Sequence, residues 1–124
     1  MSHQLSVLDR PGYLHFVVTG TNSRESVEAY LREVGTICEA RRCRRILIEE
    51  RLEGPRLGTI DVFAVASGAH AQAAARFDAI AFVDVNAGDG LMKFAEDVAV
   101  NRSVPVKVFA TVEEAARWLV ASAR

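Results

Sequence analysis

The segment RILIEE, residues 45–50, is the part of the sequence that most clearly indicates the fold. Its apolar run Ile46–Ile48 is short and is typical of a strand that is covered on both faces of a sheet. Before it, apolar residues recur at helical spacing from Val27 to Cys38, which predicts a helix with one apolar and one charged face. A helix followed directly by a buried strand favours a layered α/β domain with parallel strands.

Upstream of this helix, the sequence predicts a β-hairpin. The segments Leu5–Leu8 and Tyr13–Thr19 have the composition of strands, and Asp9–Gly12 between them (Asp-Arg-Pro-Gly) is a strong turn signal. We expect the helix to begin at Asn22, with Glu25 three residues later as its partner in a capping box.

Downstream of the central strand, helices and strands alternate along the rest of the chain. They comprise two strand-like segments and three helices, of which the last has a second capping box. In chain order these predicted elements are a helix at about Leu57–Ala75, a strand at Ala79–Val85, a helix marked by Leu91, Phe94, Ala95 and Val98, a strand at Val104–Phe109, and a helix capped by Thr111 and Glu114.

The predicted order is β-β-α-β-α-β-α-β-α, and no linker, repeat or low-complexity tract divides it. Alternating strands and helices favour parallel pairing through right-handed crossovers, while the hairpin adds an antiparallel edge. We therefore expect one domain over residues 1–124, of the α/β class, with a single-layer, mixed but mostly parallel five-stranded sheet and four helices.

Composition narrows the classes of function. Of the 124 residues, 50% are hydrophobic and 25% are charged, and the net charge is −1. These values exclude a disordered chain, and they exclude the global positive field that would attract nucleic acid or an anionic membrane. No apolar run approaches the ~20 residues that span a bilayer, and Met1–Arg10 has no signal-peptide core. We expect a cytoplasmic protein without membrane insertion or nucleic-acid binding.

The sequence carries no recognisable motif of a catalytic or cofactor site. Gly88–Gly90 lacks the third glycine of a dinucleotide-binding loop and the Lys-Ser/Thr pair of a P-loop, so we interpret it as a turn. His3, His15 and His70 are dispersed, and no serine lies in a nucleophile elbow. We expect no catalytic residue and no cofactor.

Acidic residues lie at the predicted carboxyl ends of two strands, where open α/β sheets usually bind ligands. Glu49, Glu50 and Asp84 are candidate metal ligands there, but we favour solvated strand ends and expect no metal site. Cys38 and Cys43 lie near a predicted helix end without a second Cys or His pair, and we expect free thiols.

Two surface features point to binding. Six arginines crowd the region around the central strand, and arginine suits planar pairing with carboxylates, so they form either a surface for an acidic partner or a set of local ion pairs. These residues are Arg41, Arg42, Arg44, Arg45, Arg51 and Arg56. The predicted helix over Leu57–Ala75 is more apolar than one sheet face requires, and its surplus would line an apolar pocket or a dimer interface.

The chain resembles the SpoIIAA-like family, relatives of the STAS domain of anti-sigma-factor antagonists and sulfate transporters. The resemblance covers nearly the whole chain and rests on the strand at Tyr13–Gly20, the strand Ile46–Glu49, the loop at Gly58-Thr59, and the ending Val108-Phe109 followed by Glu114–Leu119. In the antagonists, an Asp-Ser-Ser/Thr segment precedes a helix and is phosphorylated on serine. Here Leu57 and Gly58 replace the acid and the serine, so the resemblance implies a degenerate switch with Thr59 as its sole hydroxyl.

The resemblance implies a non-enzymatic regulatory module that binds a protein partner. We expect the contact surface to comprise Arg51, Arg56, Gly58 and Thr59 in the loop from Arg51 to Thr59, and we expect self-association into a homodimer. Related folds also include lipid-transfer domains, which leaves a carrier of small apolar ligands as the alternative, with a pocket lined by Phe63 and Phe94. The identity of the partner or ligand is not encoded in any motif.

Overall fold

A computed structural model of the protein describes residues 3–54, 77–84, 97 and 105–121. Within these residues the chain forms a five-stranded sheet and two helices. The elements are β1 (His3–Arg10), β2 (Tyr13–Thr21), α1 (Arg24–Arg41), β3 (Arg45–Glu53), β4 (Ala79–Asp84), β5 (Val106–Phe109) and α2 (Val112–Ala121).

The strands lie in the sheet in chain order, β1-β2-β3-β4-β5. β1 pairs with β2 in the antiparallel sense, and the three other pairs are parallel. This confirms the predicted mixed, mostly parallel sheet with a hairpin at one edge. The predicted helix at about residues 57–75 and the turn Gly88–Gly90 lie outside the described residues. Of the predicted helix at about residues 91–98, Asp97 is described, and it is helical.

Apolar residues pack on both faces of the sheet, as the run Ile46–Ile48 predicts. On the face that we call the α1 face, alternate residues of β2 and β3, such as Phe16 and Ile48, pack with Val34 of α1. On the opposite face, which we call the α2 face, Leu47 packs with residues of β4 and with Leu119 of α2. Alternation along each strand directs neighbouring side chains to opposite faces, so β3 contributes to both clusters.

The ends of α1 explain its length. Ser23, not Asn22, is the N-cap, and its hydroxyl accepts a hydrogen bond from the Ser26 N–H. The prediction of Asn22 was wrong because the Asn22 N–H donates to the Glu53 carbonyl at 2.7 Å and so continues the pairing with β3. At the other end, Arg42 adopts a left-handed conformation with φ of 54°, and the Cys43 N–H donates to the Cys38 carbonyl, which ends the helix as a Schellman motif does.

One of the two hydrogen bonds of the second capping box is confirmed. The Glu114 N–H donates to the Thr111 hydroxyl at 3.2 Å at the start of α2. Near the other end of α2, the Leu119 carbonyl accepts a hydrogen bond from the guanidinium of Arg45, the first residue of β3. The last turn of a helix has carbonyl groups without intrahelical partners, so this cation fixes α2 against the amino end of the central strand.

Candidate functional site

The candidate site lies at the carboxyl end of β3, which the structure extends beyond its predicted limit. β3 continues to Glu53 because Arg51, Leu52 and Glu53 pair in register with Thr19, Gly20 and Thr21. The expectation that a loop begins at Arg51 was therefore wrong. Arg51 belongs to the strand, and its side chain is held by the geometry of the sheet.

Two adjacent carboxylates, Glu49 and Glu50, lie in this part of the strand. We expected them to be solvated, but their exposed fractions are only 6% and 9%. Since neighbouring side chains of a strand point to opposite faces, Glu49 lies on the α2 face and Glu50 on the α1 face. Burial of two charges in so small a core requires a partner for each of them.

On the α2 face, Glu49 is held between a histidine and an arginine. His15 Nε2 lies 2.9 Å from Glu49 Oε1, and the Arg51 Nε–H donates to the other carboxylate oxygen. An ionised carboxylate only accepts hydrogen bonds, so the His15 Nε2 is the donor. β2 and β3 run parallel with Val17 opposite Glu49, which makes His15 the diagonal neighbour of Glu49. Arg51, two residues after Glu49, lies on the same face.

The environment of Glu49 favours its ionised form. Burial acts to raise the pKa of this carboxyl group, but the hydrogen bonds from His15 and Arg51 and the charges of both partners outweigh it. As a result, the pKa of Glu49 lies below its ordinary value of 4.5. At neutral pH the carboxylate is therefore a fixed negative charge that can position a cation.

On the α1 face, the hydroxyl of Tyr30 donates to Glu50 Oε2. Tyr30 is fully buried in α1, so this hydrogen bond joins the centre of the helix to the carboxyl end of β3. No buried side-chain nitrogen or oxygen among the described residues lacks a hydrogen-bond partner. The end of β3 is thus fixed from both faces by polar contacts.

This arrangement does not suit metal binding or paired acid–base chemistry by the two glutamates. Their carboxylates lie on opposite faces of the sheet, and both oxygens of Glu49 already accept hydrogen bonds. Within the described ranges, no three side chains of His, Cys, Asp or Glu form a group that could hold a metal ion. Asp84, the third candidate ligand, ends β4, and its side chain lies outside the described residues.

Of the predicted contact surface, the structure describes Arg51 alone. Its side chain is 52% exposed although Glu49 anchors it. The other predicted site residues lie outside the described residues. They are Arg56, Gly58, Thr59, Phe63 and Phe94.

Two of the six arginines named above, Arg41 and Arg44, form local ion pairs away from the carboxyl end of β3. Arg41 contacts Asp9 at 2.9 Å and Arg44 contacts Asp78 at 3.1 Å. Both cysteines are free thiols, of which Cys38 is buried. Sequence reasoning missed His15 and Tyr30, and no spacing signal could have found them, because their partners are 34 and 20 residues away.

Comparisons with known proteins support the fold. No family model matches the sequence, and no curated protein matches it. Among solved structures, the chain is similar to an uncharacterised protein of the DUF3478 family with a SpoIIAA-like fold from Shewanella loihica PV-4. The match has a TM-score of 0.54 and 20% sequence identity, and it covers 94% of this chain and 93% of the other.

This chain has a SpoIIAA-like fold. The TM-score and the nearly complete coverage confirm the fold implied by the resemblance, and at 20% identity they show the fold alone. Neither α1 nor α2, the helices within the described ranges, is long and apolar enough to cross a membrane.

Proposed function

We propose that the protein is a non-enzymatic, STAS-like regulatory module that binds an acidic protein partner through the carboxyl end of β3 and the segment that follows it. The observation that carries the proposal is the Arg51 side chain, which is half exposed and held by a buried carboxylate. The SpoIIAA-like fold supports the proposal at the level of architecture.

The geometry of Arg51 suits recognition of a carboxylate. The described contact to Glu49 uses its Nε–H, whereas a guanidinium carries five N–H donors in a planar fork. The remaining donors can engage a partner carboxylate in a bidentate manner, and charge-assisted pairs of this kind are among the stronger hydrogen bonds. Because Glu49 already orders the side chain, less rotamer entropy is lost when a partner binds.

The proposed module acts without the phosphorylation switch of the antagonists. Leu57 and Gly58 stand where the antagonists have an acid and the phosphorylated serine, which leaves Thr59 as the only hydroxyl of that segment. We therefore expect binding that does not depend on phosphate. Native mass spectrometry of the protein purified from its host measures this directly, since a phosphate-sized increment on the complex would contradict it.

The test compares charge reversal at the two ends of β3. Arg51→Glu combined with Arg56→Glu should reduce recovery of the partner in affinity purification at least tenfold. Arg44→Glu is the matched control, because Arg44 is 51% exposed and also pairs with one carboxylate, but lies before the amino end of the strand. Circular dichroism verifies that each variant folds. Equal recovery with both variants would refute the surface assignment.

Arg51→Gln separates binding from folding at this site. The glutamine removes the positive charge without placing a second carboxylate beside buried Glu49, and its amide can still donate a hydrogen bond. We expect this variant to fold normally and to lose most of its partner binding. Full retention of binding by folded Arg51→Gln would show that the anchored guanidinium does not contact the partner.

A further inference from the structure

Among the described residues, no strand pairs with the outer edge of β1. Within the described part of the chain, β1 is the first strand of the sheet and β2 is its one partner, in an unbroken register from His3 opposite Gly20 to Arg10 opposite Tyr13. Monomeric proteins commonly protect such an edge with lysine, proline or a bulge. The segment His3–Asp9 contains neither lysine nor proline, and its register contains no bulge.

The geometry of the hairpin defines which backbone groups face outward. The two-residue turn Pro11-Gly12 makes Arg10 and Tyr13 a hydrogen-bonded pair, and such pairs alternate along an antiparallel ladder. The N–H and C=O groups of alternate residues therefore point away from β2. These are His3, Leu5, Val7 and Asp9, and none of them forms a described backbone hydrogen bond outside the β1–β2 ladder.

We propose that β1 pairs with β1 of a second copy of this chain, antiparallel and centred on Ser6, to form a continuous ten-stranded sheet across a two-fold axis (5 strands from each copy). Each pair in this register has residue numbers that sum to twelve, so that Ser6 meets Ser6 of the other copy. All outward-facing backbone groups from His3 to Asp9 are then used, which gives about eight hydrogen bonds between the copies.

The side chains of β1 are complementary to themselves in this register. Leu5 lies opposite Val7 of the other copy on the α1 face, where both residues already pack against the core and remain half buried. His3 lies opposite Asp9, which is 84% exposed and has a carboxylate oxygen available beyond its contact with Arg41. Shifting the register by two residues in either direction leaves outward-facing groups unpaired and separates His3 from Asp9.

Each end of the proposed ladder adjoins a side-chain contact between β1 and α1 of the same chain. His3 contacts Glu33 of α1 at 2.9 Å, and Asp9 contacts Arg41 of the same helix at 2.9 Å. Pairing two β1 strands places His3 and Glu33 of one copy beside Asp9 and Arg41 of the other. Polar groups of His3 and Asp9 then face each other at both ends of the seam while Leu5 and Val7 pair at its middle, which favours this partner over an unrelated strand.

A disulfide at the two-fold axis tests the register. Ser6 and its symmetry mate form a non-hydrogen-bonded pair with Cα atoms about 4.5 Å apart, a separation within the range of disulfides. Ser6→Cys should therefore form a disulfide-linked dimer within minutes in glutathione buffer. Gln4→Cys is the matched control, because Gln4 is also exposed on the same face of β1, while two copies of it would lie roughly 13 Å apart. The unsubstituted chain reports the background from Cys38 and Cys43.

Ser6→Lys tests the interface without a covalent bond. It places two positive charges directly opposite one another at an exposed position, so it should shift the dimer to monomer in analytical ultracentrifugation and leave the circular dichroism unchanged. We expect the unsubstituted chain to sediment as a dimer at concentrations of about 100 µM. A monomer at that concentration would overturn the proposal. So would a dimer in which Gln4→Cys cross-links as fast as Ser6→Cys, or one that Ser6→Lys does not weaken.

Discussion

Removal of the Tyr30 hydroxyl is the most direct test of the polar contacts that fix β3. Tyr30 has no exposed surface, and its hydroxyl donates to a carboxylate that is 9% exposed. A hydrogen bond to a charged group contributes about 1.5–3 kcal/mol to stability. We therefore expect Tyr30→Phe to lower the free energy of unfolding by about 2 kcal/mol, or the melting temperature by roughly 5–10 °C.

The assay is urea unfolding followed by circular dichroism and by the fluorescence of Trp118, the single tryptophan. Tyr13→Phe is the matched control, because Tyr13 is half buried and no described hydrogen bond involves its hydroxyl. That variant should change the free energy of unfolding by less than about 0.5 kcal/mol.

A double-mutant cycle with Glu50→Gln isolates the charge-assisted part of the contact. The glutamine amide oxygen can still accept from the Tyr30 hydroxyl, but it carries no charge. If the hydroxyl acts through the charge of Glu50, the effects of the two substitutions should be non-additive by about 1 kcal/mol, because a hydrogen bond to a charged group is worth about that much more than a neutral one. A loss below about 0.5 kcal/mol for Tyr30→Phe, or simple additivity with Glu50→Gln, would refute the view that this hydrogen bond stabilises the end of β3.

Three further predictions concern other contacts. The pKa of Glu49 is depressed in the folded state, so its contribution to stability is present above pH 4.5 and is lost as the pH falls through the folded-state pKa. Glu49→Gln should therefore reduce the pH dependence of the free energy of unfolding, measured with urea between about pH 5 and pH 3. An unchanged pH dependence would contradict the direction of the pKa shift. Arg45→Met should cost about 1–2 kcal/mol and weaken the docking of α2, seen as faster amide exchange near Leu119, because it removes the cation from the helix end. Arg42→Gly should raise the free energy of unfolding by up to about 1 kcal/mol, because glycine adopts the left-handed conformation at φ of 54° without strain. A lower melting temperature for this variant would show that the arginine side chain stabilises the fold by more than its backbone strain destabilises it.

The positions of the strands and of the two described helices were predictable from local sequence. The run Ile46–Ile48 carries enough apolar side chains for both faces of a sheet, and the periodicity from Val27 to Cys38 fits only a helix with one buried face. Thr111 and Glu114 determine where α2 begins, because the groups that cap a helix end lie within three residues of each other. Such signals depend on neighbours in the chain, which the sequence displays directly.

Element ends were less predictable where tertiary pairing competes with local preference. Asn22 is a good N-cap residue by type, but its N–H belongs to the contact with the Glu53 carbonyl, so the helix begins one residue later. β3 likewise runs through Arg51 to Glu53 because β2 continues beside it. A polar segment that looks like a loop in isolation becomes a strand when a neighbour supplies hydrogen-bond partners for its backbone.

The sequence by itself determined the fold class, the antiparallel hairpin edge and the layered order of the elements, because each follows from patterns that repeat over a few residues. Only the tertiary structure decided whether the acidic side chains at the end of β3 are buried or solvated. Glu49 is buried because the parallel register of β2 brings His15 to it from 34 residues away, and Glu50 is buried because α1 places Tyr30 above it. A carboxylate can be buried when a hydrogen-bond donor from elsewhere in the chain lies within reach of it. Whether one does depends on strand register and helix packing, and no local sequence pattern contains that information.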